Sequence, residues 1–174
     1  TKEFIKKNGE FTVNIALIQD GVPILGVIYV PVLQELFYAA KDLGSFKAVD
    51  VAVTTALDAI LNTGKQLPLA LQKEQYTAVA SKSHLSPETV EYIKTLEAEH
   101  GEVATISKGS SLKLCMVAEG QADCYPRFAP TMEWDTAAGS AICKYAGKTV
   151  LDWETKEEMR YNREQLLNNW FLVK

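Results

Sequence analysis

The chain has 174 residues, 47% apolar and 23% charged, a balance that supports a real hydrophobic core and fits an ordinary globular protein. Its net charge of −4 and isoelectric point near 5.3 exclude a non-specific nucleic-acid binder, which needs a basic surface, but not a small phosphorylated ligand served by a few local cations. No apolar run is long enough for a bilayer-spanning helix and no signal peptide is visible, and Cys115, Cys124 and Cys143 lack metal-ligand spacing, so reduced, buried thiols in a cytoplasmic protein are expected.

In chain order, Thr1 is not a start residue, and Thr1-Lys2-Glu3-Phe4-Ile5 reads as the continuation of something already folded. Residues 11–18 alternate well enough for a strand. Asp20-Gly21 follows, then a second strand-like run over 23–31; an Asp-Gly pair between two such runs predicts a hairpin. Residues 35–40 add a third strand, and Gly44-Ser45-Phe46 turns into a fourth. This first portion is an antiparallel meander with one face covered by helices or by a missing segment. Residues 52–61 favour a helix that ends at Asn62-Thr63-Gly64, and Leu67-Pro68-Leu69 reads as an exposed link. A boundary near residues 72–75 gives two domains, 1–74 and 75–174.

The second portion alternates strand and helix. Residues 76–80 form a short strand. Ser86-Pro87-Glu88 opens a helix with a capping serine, a proline at its first position and an early acid; it runs to about Glu99. A strand follows over 103–106, a helix over 110–119, a strand over 122–125, a helix over 136–145 and a strand over 149–151. This order implies an α/β domain with a partly parallel sheet after an α+β first portion. Ligands of such sheets gather at the C-terminal ends of the strands. There the chain places Ser81-Lys82-Ser83-His84, then Ser107-Lys108-Gly109-Ser110-Ser111-Leu112-Lys113, then Tyr125-Pro126-Arg127. His84, Lys108, Lys113 and Arg127 should converge near Asp135, a cationic pocket in an acidic protein.

Asp135 comes after a proline-punctuated stretch and precedes the helix-like run from Thr136, so it reads as a helix cap. The small residues Thr136, Ala137, Ala138 and Gly139 would let an anion approach the same helix end. A carboxylate beside an anion calls for a cation between them, the arrangement of metal-assisted phosphate chemistry. Plainer readings exist: Asp135 as a cap only, Lys113 as a solvated cation, Arg127 paired with Asp123 or Glu133, Trp134 in the core. Several such residues at neighbouring strand ends favour a polyanion site.

Trp134-Asp135-Thr136-Ala137-Ala138-Gly139 is similar to the C-terminal signature of the inositol monophosphatase superfamily. Residues 1–4 with Asn8-Gly9-Glu10-Phe11-Thr12-Val13-Asn14 resemble the stretch just after its aspartate-rich motif. The loops at 81–84, 109–113 and 125–128 resemble those of the 3'(2'),5'-bisphosphate nucleotidases, its CysQ-type branch. The resemblance implies a layered, inositol monophosphatase-like (sugar phosphatase) fold, here N-terminally truncated, with Thr1 as the last residue of the aspartate-rich motif. It implies Mg²⁺ as cofactor, with Asp135 as metal ligand and catalytic residue and Thr1 orienting the attacking water. Thr1, His84, Ser110, Lys113, Arg127 and Asp135 would then bind the substrate, adenosine 3',5'-bisphosphate, with AMP as product. Further implications are a role in sulfate assimilation, lithium sensitivity, inactivity of the chain without its N-terminal segment, a possible homodimer and contact with the inner face of a membrane at most peripheral. Inositol or sugar monophosphatase activity, or a non-catalytic adenosine-nucleotide binder, are the alternatives.

Overall fold

The structure is a computed structural model, described for residues 9–80 and 85–174. Its first half is a five-stranded antiparallel sheet in the order β1 (Val13–Gln19), β2 (Val22–Val30), β3 (Glu35–Ala40), β4 (Gly44–Ala48) and β5 (Lys65–Gln66). Asp20 and Gly21 both have positive φ, 51° and 77°, the left-handed pair that matches a tight hairpin to the twist of its strands. The pairing Ile15↔Val27, Val27↔Tyr38, Tyr38↔Phe46 puts one apolar row on one face. A short helix, α1 (Leu57–Thr63), brings Ile60 against Tyr38, Ala48 and Val51 on that face. Val13, Ile15 and Leu17 on β1 stay exposed there.

The second half carries β6 (Thr77–Val79), α2 (Pro87–His100), β7 (Ala104–Ile106), α3 (Leu112–Glu119), β8 (Tyr125–Arg127), α4 (Glu133–Tyr145), β9 (Val150–Asp152) and β10 (Phe171–Val173). β6 and β7 pair in parallel, and Ala78 makes a parallel bridge to Cys124 just before β8. β10 lies between β8 and β9, antiparallel to both. The caps agree with the sequence: the Ser86 hydroxyl accepts the Thr89 N–H at 3.2 Å, and Gly120 closes α3 in the left-handed conformation at φ 90°.

The two halves share one core. Ile28, Val30, Phe37 and Ala39 of the large sheet join Val117 of α3, Ala138 and Ile142 of α4 and Val173 of β10 in a single buried cluster. Backbone proximity requires glycine at the contact. A Cβ on Gly26 would lie 2.3 Å from the Ala138 carbonyl oxygen, so α4 rests on β2 only because that side chain is absent. A Cβ on Gly139 would likewise meet Leu114 of α3 at 2.9 Å.

Several expectations are corrected. The first helix covers 57–63 rather than 52–61: Thr54 and Thr55 fall in the irregular stretch before it, and among the described residues Ile60 alone ties it to the sheet's apolar row. Leu67, expected in an exposed link, is 3% exposed and sits in the main core. β8 begins at Tyr125, three residues late, since Cys124 is spent on its bridge to Ala78. α4 begins at Glu133, three residues early, with Asp135 inside its first turn. Ala137, Ala138 and Gly139 are small because they are buried against the sheet and α3, not to admit an anion. Trp134, expected in the core, is 60% exposed. β10 had no sequence signal beyond three apolar residues. No helix among the described residues is long and apolar enough to cross a membrane.

Candidate active site

Four of the six residues selected from the sequence line one cavity of about 200 Å³: Ser110, Lys113, Arg127 and Asp135, with Tyr125, Pro130, Thr131 and Thr136 among its other walls. The topology delivers them. The chain leaves β7 and enters α3 through Ser110; it leaves β8 at Arg127 and enters α4 through Pro130 and Thr131. Ser110 has φ 48°, a left-handed conformation that costs a non-glycine residue roughly 1–3 kcal/mol and persists only where its surroundings enforce it. Lys113, the second residue of α3, donates from Nζ to the Ser110 carbonyl oxygen at 3.3 Å.

Arg127 is the most informative member. Its Nη2 donates to the Pro130 carbonyl oxygen at 3.3 Å, while its Nε is buried with no hydrogen-bond partner among the described residues. The two carboxylates that could have taken it for structural purposes are engaged elsewhere. Asp123 accepts from Lys73 and from the Thr77 N–H, and Glu133 accepts from Nε of Arg163 at 2.9 Å. A guanidinium with an unsatisfied donor, lining a cavity, is a place for an anion. Burial pushes the neighbouring Tyr125 phenol up to about 12, against the opposing pull of Arg127, so it stays a neutral hydrogen-bonding wall.

Asp135 closes the other side. Its Oδ2 accepts the Met132 N–H at 2.9 Å, reaching back from the third helical position as the acid of a capping box does. The side chain is exposed toward the cavity it lines. As the sequence implied, it serves the helix N-terminus, but from within the first turn.

A second cleft adjoins the first and shares Lys113, Tyr125 and Arg127 with it; Ala80, Leu85, Ser86, Thr89 and Phe128 are among its other walls. Thr1 and His84 lie outside the described residues. Lys108, expected to converge here, lies 3.7 Å from Glu10 and lines a different cleft with Glu35, Lys47 and Glu119. Ion pairing with the first half draws it away.

The support behind Asp135 was missed from the sequence. The irregular segment between β9 and β10 braces the start of α4. Asn168 donates from Nδ2 to the hydroxyls of Thr131 at 3.1 Å and Thr136 at 3.0 Å. The Glu133 carboxylate accepts the Asn162 N–H at 2.7 Å as well as Arg163. Tyr161 reaches the Thr136 hydroxyl at 3.3 Å. Its only sequence signal was a polar stretch, Tyr161-Asn162-Arg163, with no regular period.

The chemistry of the donors tests a divalent metal. Among the described residues no three His, Cys, Asp or Glu side chains gather in a ligating cluster. Asp135 therefore fits one position in the oxygen shell of a hard cation, which takes six or more. The cavity is lined by that carboxylate and by the cations of Lys113 and Arg127. Its cations suit a polyanion, and its carboxylate suits one position on a hard cation.

Comparison with known proteins gives a consistent result. The model of the inositol monophosphatase family matches residues 1–172. The 3'(2'),5'-bisphosphate nucleotidase CysQ of Salmonella typhimurium strain LT2 is 47% identical over 173 residues, 99% of this chain and 63% of the relative. The protein of the same description from Escherichia coli K12 is 46% identical with the same coverage. The chain thus spans about 63% of the length of these curated relatives. Among solved structures, CysQ from Bacteroides thetaiotaomicron superposes with a TM-score of 0.92 at 52% identity, over 99% of this chain and 65% of that one. Inositol monophosphatase II from Staphylococcus aureus superposes at 0.72 with 20% identity, over 99% and 60%, a likeness of fold.

Proposed function

The chain belongs to the inositol monophosphatase family, and from that premise we infer that its pocket holds a phosphorylated adenosine nucleotide. In the whole protein, the reaction is hydrolysis of the 3'-phosphate of adenosine 3',5'-bisphosphate to AMP and inorganic phosphate. The observation that carries this reading is the composition of a single cavity, lined together by Lys113, Asp135 and Arg127, whose buried Nε has no hydrogen-bond partner among the described residues. The names of the two nucleotidases at 46% and 47% identity support the nucleotide over other phosphate esters.

Arg127 and Lys113 hold the phosphate that is not cleaved, and Ser110 adds a hydroxyl to the same grip. Charge-assisted hydrogen bonds of this kind fix the nucleotide's orientation as well as its affinity. The cleft walled by Leu85, Thr89 and Phe128 takes the nucleoside. Asp135 would hold Mg²⁺ at the scissile end, and the family resemblance gives Thr1 the role of orienting the attacking water. Bound there, Mg²⁺ activates water and neutralises charge on the ester oxygens. In the reaction a bond forms from water oxygen to phosphorus, the bond from phosphorus to the ribose 3'-oxygen breaks, and that oxygen leaves with a proton. Among the described residues Asp135 supplies one of the several oxygen ligands such a cation needs, so we expect little activity from the 174 residues assayed by themselves. A reducing cytoplasm suits the three buried free thiols.

The test measures phosphate release from adenosine 3',5'-bisphosphate in Mg²⁺ by the protein at its relatives' full length. Turnover is expected, with Asp135→Asn losing more than the roughly 10- to 100-fold that removal of a supporting group brings. Undiminished turnover in the variant, or hydrolysis of inositol phosphate in place of the nucleotide, would overturn the reading.

A further inference from the structure

Ser111 occupies the N-cap of α3, yet its hydroxyl makes no capping hydrogen bond. A serine there ordinarily accepts an N–H of the first turn. Instead, this one turns across to the large sheet, donating to Asn14 Oδ1 at 2.8 Å and lying 2.9 Å from the Thr12 hydroxyl. It is 5% exposed. Two residues earlier, the Gly109 N–H donates to Glu10 Oε2 at 2.6 Å, and Lys108 Nζ lies 3.7 Å from Glu10 Oε1. Glu10, Thr12 and Asn14 are alternate residues along the run that leads into β1, so they present one side to the loop. They grip it on both flanks of Ser110, the residue with φ 48°.

We propose that Glu10, Thr12 and Asn14 are positioning residues for the nucleotide pocket, a clasp that holds residues 108–111 so that Ser110 and Lys113 face the ligand. The inference rests on the nucleotide reading of the pocket. Its physical basis is the left-handed backbone at Ser110, which reverts to a commoner conformation unless its neighbours over-determine it. The Glu10 carboxylate fixes the amide before Ser110, and the shared hydroxyl network fixes the residue after it. Lys113 depends on the same geometry, since its ammonium rests on the Ser110 carbonyl. None of the three clasp residues lines the cavity itself. They act on the ligand only through the loop.

The test replaces Thr12 by Val, removing the hydroxyl at nearly constant volume, and by Ser, which retains it, in the protein at its relatives' length. Two quantities are read: amide hydrogen exchange across residues 107–113, and KM against kcat for adenosine 3',5'-bisphosphate. For Thr12→Val we expect exchange in the loop to quicken and KM to rise about 3- to 10-fold, with kcat and the exchange of the β2 and α4 core unchanged. Thr12→Ser should return both to the parent values. Unchanged loop exchange in Thr12→Val overturns the clasp, whatever the kinetics. Quickened exchange with a KM equal to the parent's overturns the link to the ligand. A parent protein without turnover, with quickened exchange in the variant, leaves the clasp standing and refutes the nucleotide reading instead.

Discussion

Arg127 is held in place before any ligand arrives: one end of its guanidinium is tied to the Pro130 carbonyl and the Nε is buried without a partner. A donor in that state gains a full charge-assisted hydrogen bond when an anion enters, without giving up one to water. Arg127→Ala should therefore weaken AMP binding by about 1.5–3 kcal/mol, measured by calorimetry. Arg127→Lys should recover little, because an ammonium cannot reproduce the planar fork. Equal AMP affinity in parent and Arg127→Ala would remove Arg127 from the site. Hydrolysis of an inositol phosphate by the same variant should change far less, since that substrate has no second phosphate for the guanidinium to grip. Asp135 differs in kind. Its carboxylate serves the Met132 N–H and the cavity together, so an Asn in its place keeps the helix start while discarding the charge.

The elements that present these residues are short, and their placement depends on contacts between the halves. β4 and α3 are joined by Lys47, whose Nζ lies 2.9 Å from Glu119 and 3.2 Å from Glu35, with the Lys47 and Glu119 side chains 13% and 7% exposed. Burial works to lower the Lys47 pKa, but the Glu119 hydrogen bond and charge, with Glu35 behind them, outweigh it and hold it above the ordinary lysine value of 10.5. A raised folded pKa means that the pair contributes its full stability below the unfolded lysine pKa and loses it as pH rises through the folded one. Lys47→Met should thus lower stability by about 3 kcal/mol at neutral pH, by leaving buried carboxylates uncompensated. Urea unfolding at pH 7 and again above 10.5 should find that deficit shrinking in the alkaline sample. An equal deficit at both would show that Lys47 contributes packing and no charge.

Local chemistry made much of this legible in the sequence. Asp20-Gly21 forces its hairpin, Ser86-Pro87 opens its helix, and Gly120 stops the next one because each acts on its own backbone. The ends of β6, β7 and β8 could be ranked as a site by the strand-end rule, and Ser110, Lys113, Arg127 and Asp135 indeed meet. What stayed hidden depends on contacts distant in sequence. Leu67 is buried by residues far along the chain, and Lys108 is drawn off by Glu10, 98 positions earlier. The start of α4 was misplaced because Asp suits both the cap and the third helical position. Asn168, in the irregular segment before β10, braces Thr136 from 32 positions away, which no periodicity announces.

Across the whole molecule, one buried cluster runs from Ile28 and Phe37 through Val117 and Ile142 to Val173. The large sheet and the elements that carry the strand-end loops are therefore built on one core, and the clasp from residues 10–14 to 108–111 ties the sheet to the ligand pocket. β1 leaves Val13, Ile15 and Leu17 in solvent, and the chain spans about 63% of the length of its curated relatives. A crystal structure of the protein at that full length, grown with AMP and Mg²⁺, would settle the assignment. Phosphate density against Arg127 Nε and Lys113 Nζ, with an ion on the Asp135 carboxylate, is the predicted result. AMP bound away from the Ser110–Arg127 cavity, or an Asp135 carboxylate with no ion on it, would contradict it.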